Sequence, residues 1–194
     1  MLKTPVFMAL TLAIAFGLGV SSLWWALERV DGLSQLTING WSARPFAGTE
    51  RADPYSRARA AREASLPLGH AEGIVFTAFR DRDGRELRRD CAYAISGAMP
   101  SARFFTVHAR GSDDAVIATG NLRTPALHSG GLLRGIDGQA TIAIGPSAAP
   151  GNWLPVTGTG VMTIVLTLYD TPVVASADIG AIDLPDLTRG ACNG

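Results

Sequence analysis

The sequence predicts a mainly β protein: an antiparallel β-sandwich with one short helix, set behind an N-terminal transmembrane helix. Three observations carry that reading. The run from Thr4 to Leu27 holds no charged residue, and as a helix it would reach about 36 Å, enough to cross a bilayer. Further on, short β-branched and aromatic runs recur with Gly and Pro between them, the pattern of a sandwich or barrel rather than a parallel α/β sheet. Asp53-Pro54 opens the clearest helix signal in the chain.

Lys3 and the amino terminus precede the apolar run, and Glu28, Arg29 and Asp31 follow it. Positive charge at the start favours an N-terminus inside and the remainder outside. Trp24 and Trp25 stand at the far end, where indoles favour the membrane interface. A cleavable signal peptide is the rival reading, with Gly17-Leu18-Gly19 or Gly19-Val20-Ser21 as small-residue sites. The anchor is preferred, because no Ala-x-Ala closes the run and its length exceeds a signal core of roughly 7–15 residues. Residues 1–30 are therefore expected as a signal-anchor helix, 31–52 as a juxtamembrane linker, and 53–194 as a β-sandwich domain with a C-terminal tail.

Gln35 to Asn39 alternates polar and apolar residues and reads as an edge strand. Gly40 to Glu50 reads as a loop, with Trp41 plugging the base of the domain. Arg44 to Arg62 carries five arginines against Glu50 and Asp53. Contact with anionic headgroups near the anchor is one reading; an ordinary solvated helix face is the plainer one. Asp53 serves as an N-cap and Pro54 fits the first helical position, where its missing N–H costs nothing. Ser56 to Ala64 is rich in good helix formers. Tyr55, Ala58 and Ala61 make a narrow small-residue face, and Leu66-Pro67 is the expected stop.

Gly73 to Phe79 is the first buried strand. Asp81-Arg82-Asp83-Gly84 reads as a hairpin turn, since Asp-Gly tolerates the positive φ required. A calcium loop is rejected, because the position where such a loop places its closing Glu is Ala92. Further strands are expected at Cys91–Ser96, Arg103–Ala109, Ala115–Thr119, Ala140–Ile144 and Val161–Tyr169. Gly120 to Arg134 reads as irregular, Pro146 to Gly151 as a loop, and the stretch after Pro172 as a loop-like tail.

Several of these motifs, taken in order, resemble one bacterial family. They are Asp53-Pro54-Tyr55-Ser56-Arg57-Ala58 with Ala61-Arg62, Leu66-Pro67-Leu68 and Glu72; Asp81-x-Asp83-Gly84-Arg85-x-Leu87; Cys91-x-Tyr93; Pro100-x-Ala102-Arg103; Asn152-Trp153-Leu154-Pro155; and Leu166-x-Leu168-Tyr169-Asp170-x-Pro172. The chain is similar in these to the domain of unknown function numbered 1214, over roughly Gly40 to the C-terminus. The resemblance implies a β-sandwich of jelly-roll type and no established activity. One departure stands out: after Arg103 the family pattern has a Trp-Ser-Leu-Thr-type strand, and here the run is Phe104-Phe105-Thr106-Val107-His108-Ala109. With the anchor, the resemblance places the protein in the bacterial inner membrane as a single-pass chain, its C-terminal domain in the periplasm.

Lys and Arg total 17 and Asp and Glu total 17, so there is no basic surplus for nucleic acid. The two cysteines form no Cys-x-x-Cys pair. In an oxidising compartment Cys91 and Cys192 are expected to bridge. No nucleophile elbow, phosphate loop, dinucleotide fingerprint or zincin helix is present, and no catalytic residue, cofactor or metal is expected. His70, His108 and His128 would hold a metal only if they converged, and scattered histidines are more often surface residues. Arg57, Arg62, Glu72 and Arg103 either form a cleft that holds a carboxylate or phosphate, or dock the helix on the sheet, for example through Arg62 with Glu72. Tyr55 and Tyr93 read as core residues with a wet hydroxyl before they read as acid/base groups. Asn152 and Trp153 are expected to fix a turn and plug one end of the sandwich; a carbohydrate-stacking tryptophan is the sharper alternative. Two function classes follow. One is a non-catalytic envelope module that binds a partner protein or polymer, tethered through residues 4–27. The other is an envelope hydrolase drawing an acid and a base from Asp53, Glu72 or His108.

Overall fold

A computed structural model describes residues 3–29, 35–69, 71–120, 124–175 and 182–192. Helix α1 (Lys3–Arg29) is followed by strands β1 (Leu36–Ile38) and β2 (Trp41–Ala43), helix α2 (Pro54–Arg62), and strands β3 (Gly73–Ala78), β4 (Cys91–Ser96), β5 (Phe104–Arg110) and β6 (Ala126–His128). Strands β7 (Ile142–Gly145), β8 (Asn152–Pro155), β9 (Thr163–Tyr169) and β10 (Asp186–Cys192) complete the chain, with 3-10 turns at Ser129–Gly131 and Pro172–Ala175.

The strands form two sheets, one ordered β1-β2-β3-β9-β5-β6 and the other β10-β4-β7-β8. The core lies between them, and strand alternation decides who enters it. Ile74, Phe76 and Ala78 of β3, Phe105, Val107 and Ala109 of β5, and Ile164, Leu166 and Leu168 of β9 point inward from the first sheet. Tyr93 and Ile95 of β4, Ile142 and Ile144 of β7, Leu154 of β8 and Leu187 of β10 meet them from the second. Gly73 opens β3 where the β9 backbone passes so close that an added Cβ would stand 2.0 Å from the Leu168 carbonyl oxygen, so glycine is required there.

Several expected boundaries move. Trp41, read as a loop plug, lies in strand β2, and its indole Nε1 donates to the Pro185 carbonyl at 2.8 Å. Thus β1 and β2, inside the stretch read as a linker over residues 31–52, belong to the six-stranded sheet. Ala115–Thr119 forms no strand; after the turn at Gly111 it touches β5 through an Arg110–Val116 bridge and an Ile117 N–H bond to Ala109. Conversely, Ala126–His128 of the irregular stretch is strand β6, Asn152–Pro155 of the expected turn is β8, and the loop-like tail contains β10. The sandwich is not wholly antiparallel, because β7 and β8 pair in parallel. The short β7 explains how: residues 146–151, extended, reach roughly 20 Å, enough to run back along it.

Helix α2 ends at Arg62 rather than at Leu66. Ala64 takes a left-handed conformation with φ 49°, and the Ser65 N–H donates to the Ala60 carbonyl at 3.0 Å. That bond closes the last turn as a Schellman motif before Pro67 is reached. Its most buried residue is Ser56, not the face of Tyr55, Ala58 and Ala61, of which the two alanines are exposed. α1 is apolar and exposed from Thr4 to Trp25, with Thr4–Ala26 long and apolar enough to cross a membrane.

Candidate functional site

The residues singled out by sequence do not gather in one cleft. Asp53 caps α2: its Oδ1 accepts from the Ser56 N–H at 2.9 Å and its Oδ2 from the Ser56 hydroxyl at 2.6 Å. Arg57 donates from Nε to the Ala52 carbonyl at 3.1 Å. Arg62 is exposed and makes no hydrogen bond or ion pair among the described residues, so the expected Arg62–Glu72 pairing is absent there. Glu72 instead accepts from the Gly69 N–H at 2.8 Å, closing the turn that precedes β3. Arg103 faces Asp170 at 3.4 Å across the surface, both side chains mostly exposed. Tyr55 is half-buried on α2.

Asn152 is a buried staple. Its Oδ1 accepts from the Leu133 N–H at 2.7 Å, and its Nδ2 donates to the carbonyls of Leu133 at 2.8 Å and Thr141 at 3.0 Å. The side chain thereby pins the segment beside β8, and three of its four hydrogen-bonding positions are filled. Trp153 is buried, its Nε1 donating to Gly145 at 3.1 Å. A buried indole offers no open face to a sugar ring, so the stacking alternative is set aside.

The densest polar cluster lies at the β3–β4 corner. The turn forms as expected: the Gly84 N–H donates to the Asp81 carbonyl at 2.9 Å, and Gly84 has φ +81°. The Asp81 side chain, however, points inward and is 1% exposed. Its Oδ1 accepts from the N–H groups of Asp83 at 3.0 Å and Arg85 at 2.9 Å. Its Oδ2 faces Nε of Arg85 at 3.1 Å and Nε of Arg189 at 2.9 Å. Burial pushes this carboxyl up, but the Arg85 N–H bond and the charges of Arg85 and Arg189 outweigh it and hold the group below its ordinary value of 3.8. Asp81 is therefore an ionised latch and not a proton donor at neutral pH.

Arg189 reaches the corner from β10. Its guanidinium lies 5.4 Å from the centre of the Tyr93 ring, within cation–π range, and also donates to the Glu86 carbonyl. The Tyr93 hydroxyl accepts from the Arg88 N–H at 2.8 Å, which gives that tyrosine a structural partner. Arg82 adds an ion pair to Asp186 at 2.9 Å, and its N–H donates to Leu187. Beside this cluster Cys91 of β4 and Cys192 of β10 form a disulfide, their Cα atoms 3.9 Å apart. Arg189 and Asp186 carried no signal in the sequence, because their partners lie about a hundred residues upstream.

The outward face of the six-stranded sheet carries Phe104, Thr106, His108 and Arg110 of β5, alternating with its core residues. Phe104 is 40% exposed and its ring lies 5.8 Å from His128 and 5.9 Å from Tyr169. His108 accepts at Nε2 from Arg110 Nε at 3.2 Å. Burial, and then the Arg110 charge, lower its pKa below the usual 6.5 and favour the neutral ring. His70 lies outside the described residues. Among the described residues no group of three or more His, Cys, Asp or Glu is placed to hold a metal ion.

A family model described as a protein of unknown function, DUF1214, matches residues 72–173. Among solved structures, the VPA0106 protein from Vibrio parahaemolyticus is similar at a TM-score of 0.61 and 18% identity, over 89% of this chain and 43% of that one. An uncharacterized protein from Burkholderia cenocepacia gives 0.46 and 14%, over 93% of this chain and 52% of that one. The chain thus spans about half the length of these neighbours or less, and the first likeness bears on the fold alone. No curated protein matches the chain.

Proposed function

We propose that this chain, which belongs to the DUF1214 family of proteins of unknown function, is a non-catalytic binding module tethered to the bacterial inner membrane and displayed in the periplasm. The observation that carries the reading is the separate employment of the three acid/base candidates. Asp53 caps α2, Glu72 closes a turn and His108 is bonded to Arg110, each on a different element. A hydrolase needs two such groups facing one reacting atom, and these three are committed elsewhere. The apolar α1 supports the tether, and the Cys91–Cys192 bridge supports an oxidising compartment. The Phe104–His128–Tyr169 cluster is the partner-facing patch: aromatic, partly exposed, and set on a rigid sheet.

Site-specific photocrosslinking from position 104 in intact cells tests this. The expected result is a discrete adduct that is lost in a Tyr169→Ala, His128→Ala double variant which still folds. A reporter fused after Gly194 is expected to be active outside the cytoplasm. Turnover of an envelope polymer by the wild type, abolished in folded Asp53→Asn or Glu72→Gln protein, would install the hydrolase reading instead.

A further inference from the structure

We propose that the solvent face of α2 rests on the anionic phospholipid headgroups of the bilayer that holds α1. The inference depends on the membrane-spanning reading of α1 given above. α2 packs against α1. Among the α1 residues whose burial is described, every one is exposed except Ala26. The two helices therefore meet at the C-terminal end of α1, next to Trp24 and Trp25. When Thr4–Ala26 fills the hydrocarbon layer, that end stands at headgroup height, where tryptophans anchor.

The charge at that height is positive. Arg44 to Arg62 holds five arginines against Glu50 and Asp53, in a chain whose charges balance overall at 17 against 17. Asp53 is engaged as the helix cap, and Glu63, just beyond, is the C-cap residue. Arg51, Arg57 and Arg62 are exposed, and guanidinium forks match phosphate oxygens in pairs. Basic residues close to an anionic leaflet are attracted within a Debye length. Leu66, just past the helix, is 97% exposed; an apolar side chain beside an arginine-rich helix suits the boundary between headgroups and acyl chains.

The test uses the full chain in lipid nanodiscs, one set of phosphatidylcholine alone and one an equal mixture with phosphatidylglycerol. Amide hydrogen exchange is read across Arg57–Arg62. The phosphatidylglycerol discs are expected to slow exchange there by at least about fivefold, and high salt or an Arg51→Gln, Arg62→Gln double variant is expected to remove the difference. Both positions are exposed, so the double variant is expected to fold, and its intact disulfide checks this. Equal exchange in the two discs, or protection indifferent to salt, overturns the inference and leaves the tether standing. A chain that the discs do not retain overturns both.

Discussion

Two aspartates, Asp53 and Asp81, do the same local job in very different company. Each accepts backbone N–H groups at the start of a tight feature, Asp53 at α2 and Asp81 at the β3–β4 turn. Each has arginines nearby in sequence. Asp81 is closed off from solvent and paired with Arg189 from the far end of the chain, whereas Asp53 is half-buried and accepts both the N–H and the hydroxyl of Ser56, three residues on. The difference teaches that the same capping arrangement is worth more the more completely burial removes the competing water. It also separates the arginines: Arg85 and Arg189 are committed to a carboxylate, while Arg62 has no such partner among the described residues.

The sharpest way to break the comparison is to cut the covalent tie that holds Arg189 in place. Cys192→Ser, or reduction, opens a loop spanning a sequence separation of 101. It should lower stability by up to about 4–5 kcal/mol in the chain-entropy account, measured by denaturant unfolding with and without reductant. An unchanged midpoint would mean that the charge cluster alone holds β10.

Next in size is Asp81→Ala, which strands Arg189 in a largely buried site and leaves two turn N–H groups unpaired. A loss of about 3 kcal/mol is expected. The same carboxylate should make stability fall in acid. Its folded pKa lies below the ordinary 3.8, so its contribution is complete above that value and is lost as pH falls through it toward the lower folded value. The gap between the unfolding midpoints of wild type and variant should therefore hold from neutral pH down to about 3.8 and close below it; a gap that stays constant in strong acid would remove Asp81 as the cause.

Asp53→Ala should cost about 1 kcal/mol, the usual size of a lost N-cap, seen as a small drop in thermal midpoint. Arg62→Ala should lie within about 0.5 kcal/mol of wild type. A large loss from Arg62→Ala would show that it docks α2 after all.

Much of the sandwich was legible. β3, β4, β5, β7 and β9 announce themselves by β-branched or aromatic residues in alternation, and their inward sets are the ones alternation selects. The strands that escaped lack that signal for identifiable reasons. β8 is buried at all four positions, so Asn152-Trp153-Leu154-Pro155 has no alternation to read and its proline suggests a turn. β10 contains Gly190 and buries only Leu187, leaving a polar string whose strand character comes from β4 beside it. The end of α2 was misplaced because a left-handed Ala64 stopped it before Pro67 could. As for the site, Asp81-x-Asp83-Gly84-Arg85 was visible as a turn. Its role as a buried anion was not, because Arg189 meets it only through tertiary pairing. Asn152 was singled out as fixing a turn, whereas it lies in β8 and its side chain bonds Leu133 and Thr141, partners the sequence did not show.

The Cys91–Cys192 bridge also governs what a protease would leave behind. The turn at 135–139, with Ile136 fully exposed at its tip, is a natural place for a nick, and it falls between the two cysteines. Cleavage there separates the backbone but not the molecule. The upstream piece keeps α1, the downstream piece keeps β7 to β10, and the sulfur–sulfur bond keeps the two joined. Such a nicked protein would run as one band on a non-reducing denaturing gel and as two after thiol treatment.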